Sequence, residues 1–184
     1  GITKGISSHV YAYLNLAPRH SLVVSDSTFY ADSTTSYYGS SFLFQLYMVE
    51  HYGDKNYTHG LVRSTSNGIN GVNAGLAASG SSDRFYDAFS KWMVALSVND
   101  DNAGDGDTYS YEQKYYSHGN LRLPLTRSHN GVPITSSLTG NQKISGYGVN
   151  SIRFSSPPHD DETYRLELSY SSGSPVGAIY YESN

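Results

Sequence analysis

The sequence predicts an α+β chain, with an N-terminal helical subdomain followed by a small antiparallel β-sandwich. Three observations carry that prediction. Between Ser36 and Asp54, apolar side chains recur at three- and four-residue steps, the period of a helix with one buried side. At residues 99–107, NDDNAGDGD, the composition changes abruptly to Asp, Asn and Gly. Beyond it the apolar residues alternate, as in Tyr164-x-Leu166-x-Leu168-x-Tyr170 and Val176-x-Ala178-x-Tyr180, which is the period of a strand with one face covered. The division that follows is a helical part over 1–100, an Asp/Gly-rich linker over 101–108 and a β-sandwich over 109–184.

Taken in order, Ile6, Val10, Tyr11 and Leu14 lie at helical spacing in a segment that Pro18 closes. The next twenty or so residues read as an extended loop holding one apolar group, Leu22-Val23-Val24. The main helix comes next, with Phe42, Leu43, Leu46, Tyr47, Val49 and Tyr52 as its stripe and Gly53 as the left-handed residue that ends it. Residues 56–64 predict two helical turns with Leu61 and Val62 inward. A further helix carries Ile69, Val72, Leu76 and Ala77 between Gly68 and Gly80. Ser82 or Asp83 then caps a helix in which Phe85, Phe89, Trp92 and Leu96 share one face, with Trp92 pointing into the core. In the C-terminal part Leu121-x-Leu123 and residues 144–154, ISGYGVNSIRF, add strand signals, for about six strands in all.

Composition narrows the function. Charged residues are 15% of the 184 and the net charge is −4, so there is no basic footprint for nucleic acid. No apolar run approaches the ~18 residues a membrane span needs. With no Cys there is neither a disulfide framework nor a thiolate site. Tyr and Gly stand at 18 each beside abundant Ser and Asn and few Lys and Glu, a mixture common in exported proteins, so an extracellular or cell-surface location is expected. An initial Gly without Met suggests either a processed or a recombinant product, and in either case further sequence upstream is an open expectation.

Candidate site residues fall into three groups. Asp100, Asp101, Asp105 and Asp107 offer hard oxygen ligands for calcium from a Gly-rich loop. The order and closing Glu of an EF-hand are absent, and a solvated linker is the alternative. Glu50, followed four residues on by Asp54, has the character of a third zinc ligand with its outer-shell partner; surface charge at a helix end is the alternative. The pairs Tyr37-Tyr38, Tyr115-Tyr116 and Tyr180-Tyr181 offer faces on which a peptide or polysaccharide could stack, although on a strand one member of each pair turns inward. The seven His residues include no pair at i, i+4. Ser66-Asn67-Gly68 and Asn70-Gly71 read as turn chemistry, and Asn56-Tyr57-Thr58 fits the glycosylation acceptor pattern.

One stretch carries a family likeness. Tyr38-Gly39-x-x-Phe42-Leu43-Phe44-x-x-Tyr47, then Tyr52-Gly53-Asp54, then Phe85 to Phe89-x-x-Trp92-x-x-Ala95-Leu96 resembles the distal part of the catalytic domain in secreted zinc metallopeptidases of the hyicolysin type, a gluzincin-like group. The resemblance implies helices that follow a zinc site, and a β-rich domain after them. The chain lacks the His-Glu-x-x-His helix that supplies two zinc ligands and the general base, and Lys4-Gly5-Ile6-Ser7 carries Lys where such enzymes have a ligating Glu. What the resemblance implies is therefore a distal portion or a non-catalytic relative of such a peptidase, with no zinc held by this chain and zinc belonging to a longer parent protein. The alternative is a binding module at the cell surface that keeps the peptidase-like helices as scaffold.

Overall fold

The computed structural model describes residues 8–14, 21–23, 34–97, 106–111 and 147. Five helices and one 3-10 turn make up most of this. Helix α1 covers residues 8–14, α2 Thr34–Tyr52, α3 Asp54–Arg63, α4 Gly68–Ala78 and α5 Phe85–Ser97, and the 3-10 turn is Gly106–Tyr109. Among the described residues no helix is long and apolar enough to cross a membrane.

The longest helix, α2, runs for 19 residues and is covered on more than one side. Ser36, Tyr37, Ser40, Leu43, Phe44, Tyr47 and Met48 are buried, and Phe42, Leu46, Val49 and Tyr52 pack partly buried against the same core. The expected stripe thus holds at Leu43 and Tyr47 but is centred one residue away from Phe42, Leu46 and Val49. A helix that is apolar on several sides contains more than one periodic series, and small residues settle which series faces a neighbour. Gly39 is decisive here: a Cβ at that position would lie 2.1 Å from the His9 carbonyl oxygen, so its absence lets the backbone of α1 come in against α2. Val10 and Tyr13 of α1 are completely buried as a result.

At the end of α2 the chain turns through Gly53, whose φ of 85° and ψ of 110° are closed to residues with a side chain at low cost. Helix α3 starts immediately, and the Tyr57 N–H donates to the Gly53 carbonyl at 3.0 Å. Tyr57, rather than Val62, takes the inward position: it is fully buried, its hydroxyl donates to Gln45 Oε1 at 3.0 Å, and Val62 is 76% exposed. Helices α3 and α4 approach closely because Gly60 and Gly75 face each other. A Cβ on Gly60 would meet the Ala78 Cβ at 2.3 Å, and one on Gly75 would meet the Tyr57 ring at 2.8 Å.

Helix α5 buries Phe85, Ala88, Phe89, Trp92, Ala95 and Leu96, the face its spacing predicts. Its first turn is capped by other residues than Ser82 or Asp83. The Phe85 N–H donates to Asn73 Oδ1 of α4 at 2.8 Å, and Asp87 reaches back to accept the Arg84 N–H at 2.9 Å, the return half of a capping box. Trp92 lies at the centre of the core. Phe44 meets it edge-on at 5.2 Å, Tyr13 stacks on it at 6.3 Å and Phe89 lies 5.6 Å away. Truncating Trp92 to Ala removes contacts on all these sides and costs about 3–5 kcal/mol.

The α+β expectation with its β-sandwich is corrected by this architecture: the described residues form a helical bundle and contain no strand. Most of 109–184 lies outside the described residues. The parts that are described have helical partners. Tyr111 is buried in the bundle and bonded to Trp92. Tyr147, in the middle of the 144–154 stretch read as a strand, has a φ of 56°, in the left-handed region that an extended strand does not contain. Its ring packs edge-on against Phe85 at 5.8 Å and Phe89 at 6.1 Å. Tyr147 is therefore a turn residue, and its ring reaches the helices.

Candidate functional site

Among the described residues, His9 and Tyr38 form an aromatic pair at the surface. The sequence brings them together in two steps. Glycine at position 39 admits the α1 backbone, and this close approach sets the His9 ring beside the residue that precedes Gly39. The two rings stack with centroids 5.7 Å apart and planes 29° from parallel. Tyr38 remains 56% exposed although it is a large aromatic residue, while its neighbour Tyr37 is buried at 6%. One Tyr of the pair thus belongs to the core and the other to the surface, with a helix rather than a strand separating them.

A second ordered aromatic pair lies at the first turn of α5. Tyr86 is 53% exposed and stacks on Tyr147 at 6.3 Å, with their hydroxyl oxygens 3.2 Å apart. The hydrogen bond between the two phenols raises the Tyr147 pKa, with burial and the charge of Tyr86 adding. Sequence reasoning passed over His9, Tyr86 and Tyr147. Tyr86 was open to discovery, since it directly follows Phe85 and so falls off the buried face of α5. The pairing of His9 with Tyr38 carries no motif.

The end of α2 carries polar groups that hold the bundle together. Tyr47 donates through its hydroxyl to the Thr108 carbonyl at 2.8 Å, and His51 Nε2 bonds the Ser110 carbonyl at 2.8 Å. The Trp92 indole N–H donates to the Tyr111 hydroxyl at 2.7 Å, and that hydroxyl donates onward to the Leu43 carbonyl at 3.2 Å. Burial raises the Tyr111 phenol well above its ordinary pKa; the bond from Trp92 opposes this, and the nearby Tyr13, Tyr47 and Glu50 add to it. Accepting from Trp92 and donating to Leu43, the phenol is a relay between Trp92 and α2. Further along, Asp83 accepts both the Tyr52 hydroxyl and Lys91 Nζ at 2.6 Å. Burial pushes the Asp83 carboxyl up, but Lys91 and Tyr52 outweigh it and hold the carboxyl below its ordinary value.

The metal candidates fare differently. Glu50 is buried at 8% in the core, beside Tyr111. The adjacent His51 commits Nε2 to a main-chain carbonyl, and among the described residues no three His, Cys, Asp or Glu side chains gather closely enough to hold a metal ion. Zinc at Glu50 thus has no support among the described residues. Asp107 is the second residue of the 3-10 turn, while Asp100, Asp101 and Asp105 lie outside the described residues, as do Tyr115, Tyr116, Tyr180 and Tyr181.

Compared with family models, with curated proteins and with solved structures, the chain matches none. The likeness to the hyicolysin-type peptidases accordingly rests on its sequence pattern alone.

Proposed function

We propose that this chain is a non-catalytic binding module, a helical scaffold that presents exposed tyrosine rings to a peptide or polysaccharide chain. The observation that carries the reading is the exposed Tyr38 ring, held flat against His9. A ring ordered before its ligand arrives loses little freedom on binding, so more of its contact energy appears as affinity. The hydrogen-bonding side chains of the bundle support the same reading. Tyr47, Tyr52, His51, Trp92 and Lys91 are each engaged in bonds that hold elements together. The low charge suits a ligand recognised through ring faces rather than ion pairs. An extracellular setting belongs to the proposal, supported by the composition.

The test is a glycan and peptide array probed with the intact chain, followed by affinity measurement on the best ligand. Tyr38→Ala is expected to weaken binding roughly tenfold, or about 1.4 kcal/mol, with the thermal midpoint unchanged. An array without hits, or a ligand that Tyr38→Ala binds as tightly, overturns the reading.

A further inference from the structure

Two Asn-Gly pairs flank the start of α4, and the fold treats them oppositely. Asn67 precedes the helix in extended backbone, with φ −105° and ψ 167°, and its side chain makes no cap bond. It is exposed, as is Gly68. Gly68 has a φ of 58°, and nothing lies within 4 Å of where a side chain on it would project. Its N–H belongs to the first turn of the helix, where main-chain donors have no acceptor within the helix. Three residues on, Asn70 and Gly71 are inside α4. The Gly71 N–H donates to the Asn67 carbonyl at 3.4 Å, and a Cβ on Gly71 would meet the Ser66 carbonyl oxygen at 2.8 Å, so this main-chain nitrogen is tied and closely packed.

We propose that Asn67 is a site of spontaneous deamidation, a covalent modification selective for this Asn over Asn70. The chemistry needs water alone. The Gly68 main-chain nitrogen attacks Cγ of the Asn67 side chain and loses its proton, the new C–N bond closes a five-membered succinimide, and the side-chain amide departs as ammonia. Water then adds to either carbonyl of the ring and opens it, giving aspartate when the side-chain carbonyl is attacked and isoaspartate when the main-chain carbonyl is attacked. No oxidant or reductant takes part. Closing the ring requires Asn67 ψ to turn and the Gly68 nitrogen to pyramidalise, and a glycine with open space around it permits both. Turning ψ at Asn67 gives up the long bond that its carbonyl accepts from the Gly71 N–H; at Asn70 the step gives up the same bond and must also move Gly71, inside the helix, against Ser66.

The two products differ in consequence. Aspartate places a carboxylate at the N-terminus of α4, where the helix dipole favours it. Isoaspartate inserts an extra methylene into the main chain beside Ser66, whose carbonyl already sits tightly against Gly71. One modification therefore either strengthens or loosens the first turn of the helix that caps α5 through Asn73.

The intact folded chain is incubated at neutral pH with mild warming, and a parallel sample is incubated in denaturant. Both are digested, and the peptide spanning Ser64 to Arg84 is fragmented to place the mass gain of amide-to-acid conversion; the Asn67→Asp variant serves as the chromatographic standard. Conversion at Asn67 several-fold faster than at Asn70 in the folded chain, with the two rates converging in denaturant, is the expected result. Gly68→Ala is expected to slow Asn67 several-fold and leave Asn70 unchanged. Equal rates in the folded chain, faster conversion of Asn70, or conversion of Asn67 confined to the denatured sample overturns the proposal.

Discussion

Replacing Tyr111 with Phe removes a single oxygen from the centre of the bundle and leaves two groups changed. The Trp92 indole N–H, fully buried, loses its acceptor 2.7 Å away, and the Leu43 carbonyl loses a donor at 3.2 Å. The second loss is small, because the carbonyl of a mid-helix residue keeps its helical bond. The first leaves a buried donor unsatisfied, a penalty of about 1–3 kcal/mol, whereas the shape of the ring is preserved. Tyr111→Phe should therefore lower stability by about 2 kcal/mol. In a domain whose stability is about 5–15 kcal/mol this is readily measured as a shift in urea midpoint at constant slope. A double-mutant cycle isolates the cause. Trp92→Phe deletes the donor, so it should cost less in the Tyr111→Phe background than in the native chain, with a coupling of about 1 kcal/mol or more. If Tyr111→Phe costs under about 0.5 kcal/mol, or the two substitutions are additive, the relay contributes nothing and the reasoning is refuted.

Two further outcomes follow from the helix ends. Asn73→Ala removes the acceptor for the Phe85 N–H and should lower stability by about 1 kcal/mol, with Asn73→Asp retaining most of it; thermal melts of the three chains decide. For Asp83, the folded-state pKa is depressed, so its contribution is present above the ordinary carboxyl pKa of about 3.9 and is lost as pH falls through the lower folded value. The stability gap between the native chain and Asp83→Asn should therefore be level near neutrality and close below about pH 4. It should stay within about 1 kcal/mol, since the ion pair with Lys91 is partly open to solvent. A gap that widens in acid contradicts the assignment.

Much of the helical half was legible in the sequence. The existence of α2 to α5, the termination of α2 at Gly53 and the inward face of α5 all follow from local spacing, and each is an interaction between residues within a few turns of one another. The errors arise where a distant residue decides. Val62 and Tyr57 are both apolar enough to turn inward from α3, and the choice depends on the room that Gly75 leaves for the Tyr57 ring. Ser82 and Asp83 have the side chains of a cap, yet Asn73 on another helix supplies one bond and Asp87 the other. Tyr38 was read from sequence as a stacking residue, but its ordering partner, His9, lies on α1 and is fixed only once that helix docks. At Tyr147 itself the strand reading is overturned for a related reason: its left-handed backbone and its packing against Phe85 and Phe89 depend on distant residues and leave no mark in local alternation.

The close seam between α3 and α4 also sets an order of events in folding. Its contacts join Tyr57 and Gly60 to Gly75 and Ala78, partners fewer than two dozen positions apart, so closing the hairpin needs only a short loop. Tyr111, by contrast, reaches back 68 positions to Leu43. The seam is thus placed to form early, and the relay through Trp92 late. On the ribosome, where the N-terminal portion emerges first, the helix pair can assemble while the indole N–H of Trp92 still waits for Tyr111. The 3-10 turn and the residues after it act as the closing step, sealing a core whose outline is already drawn.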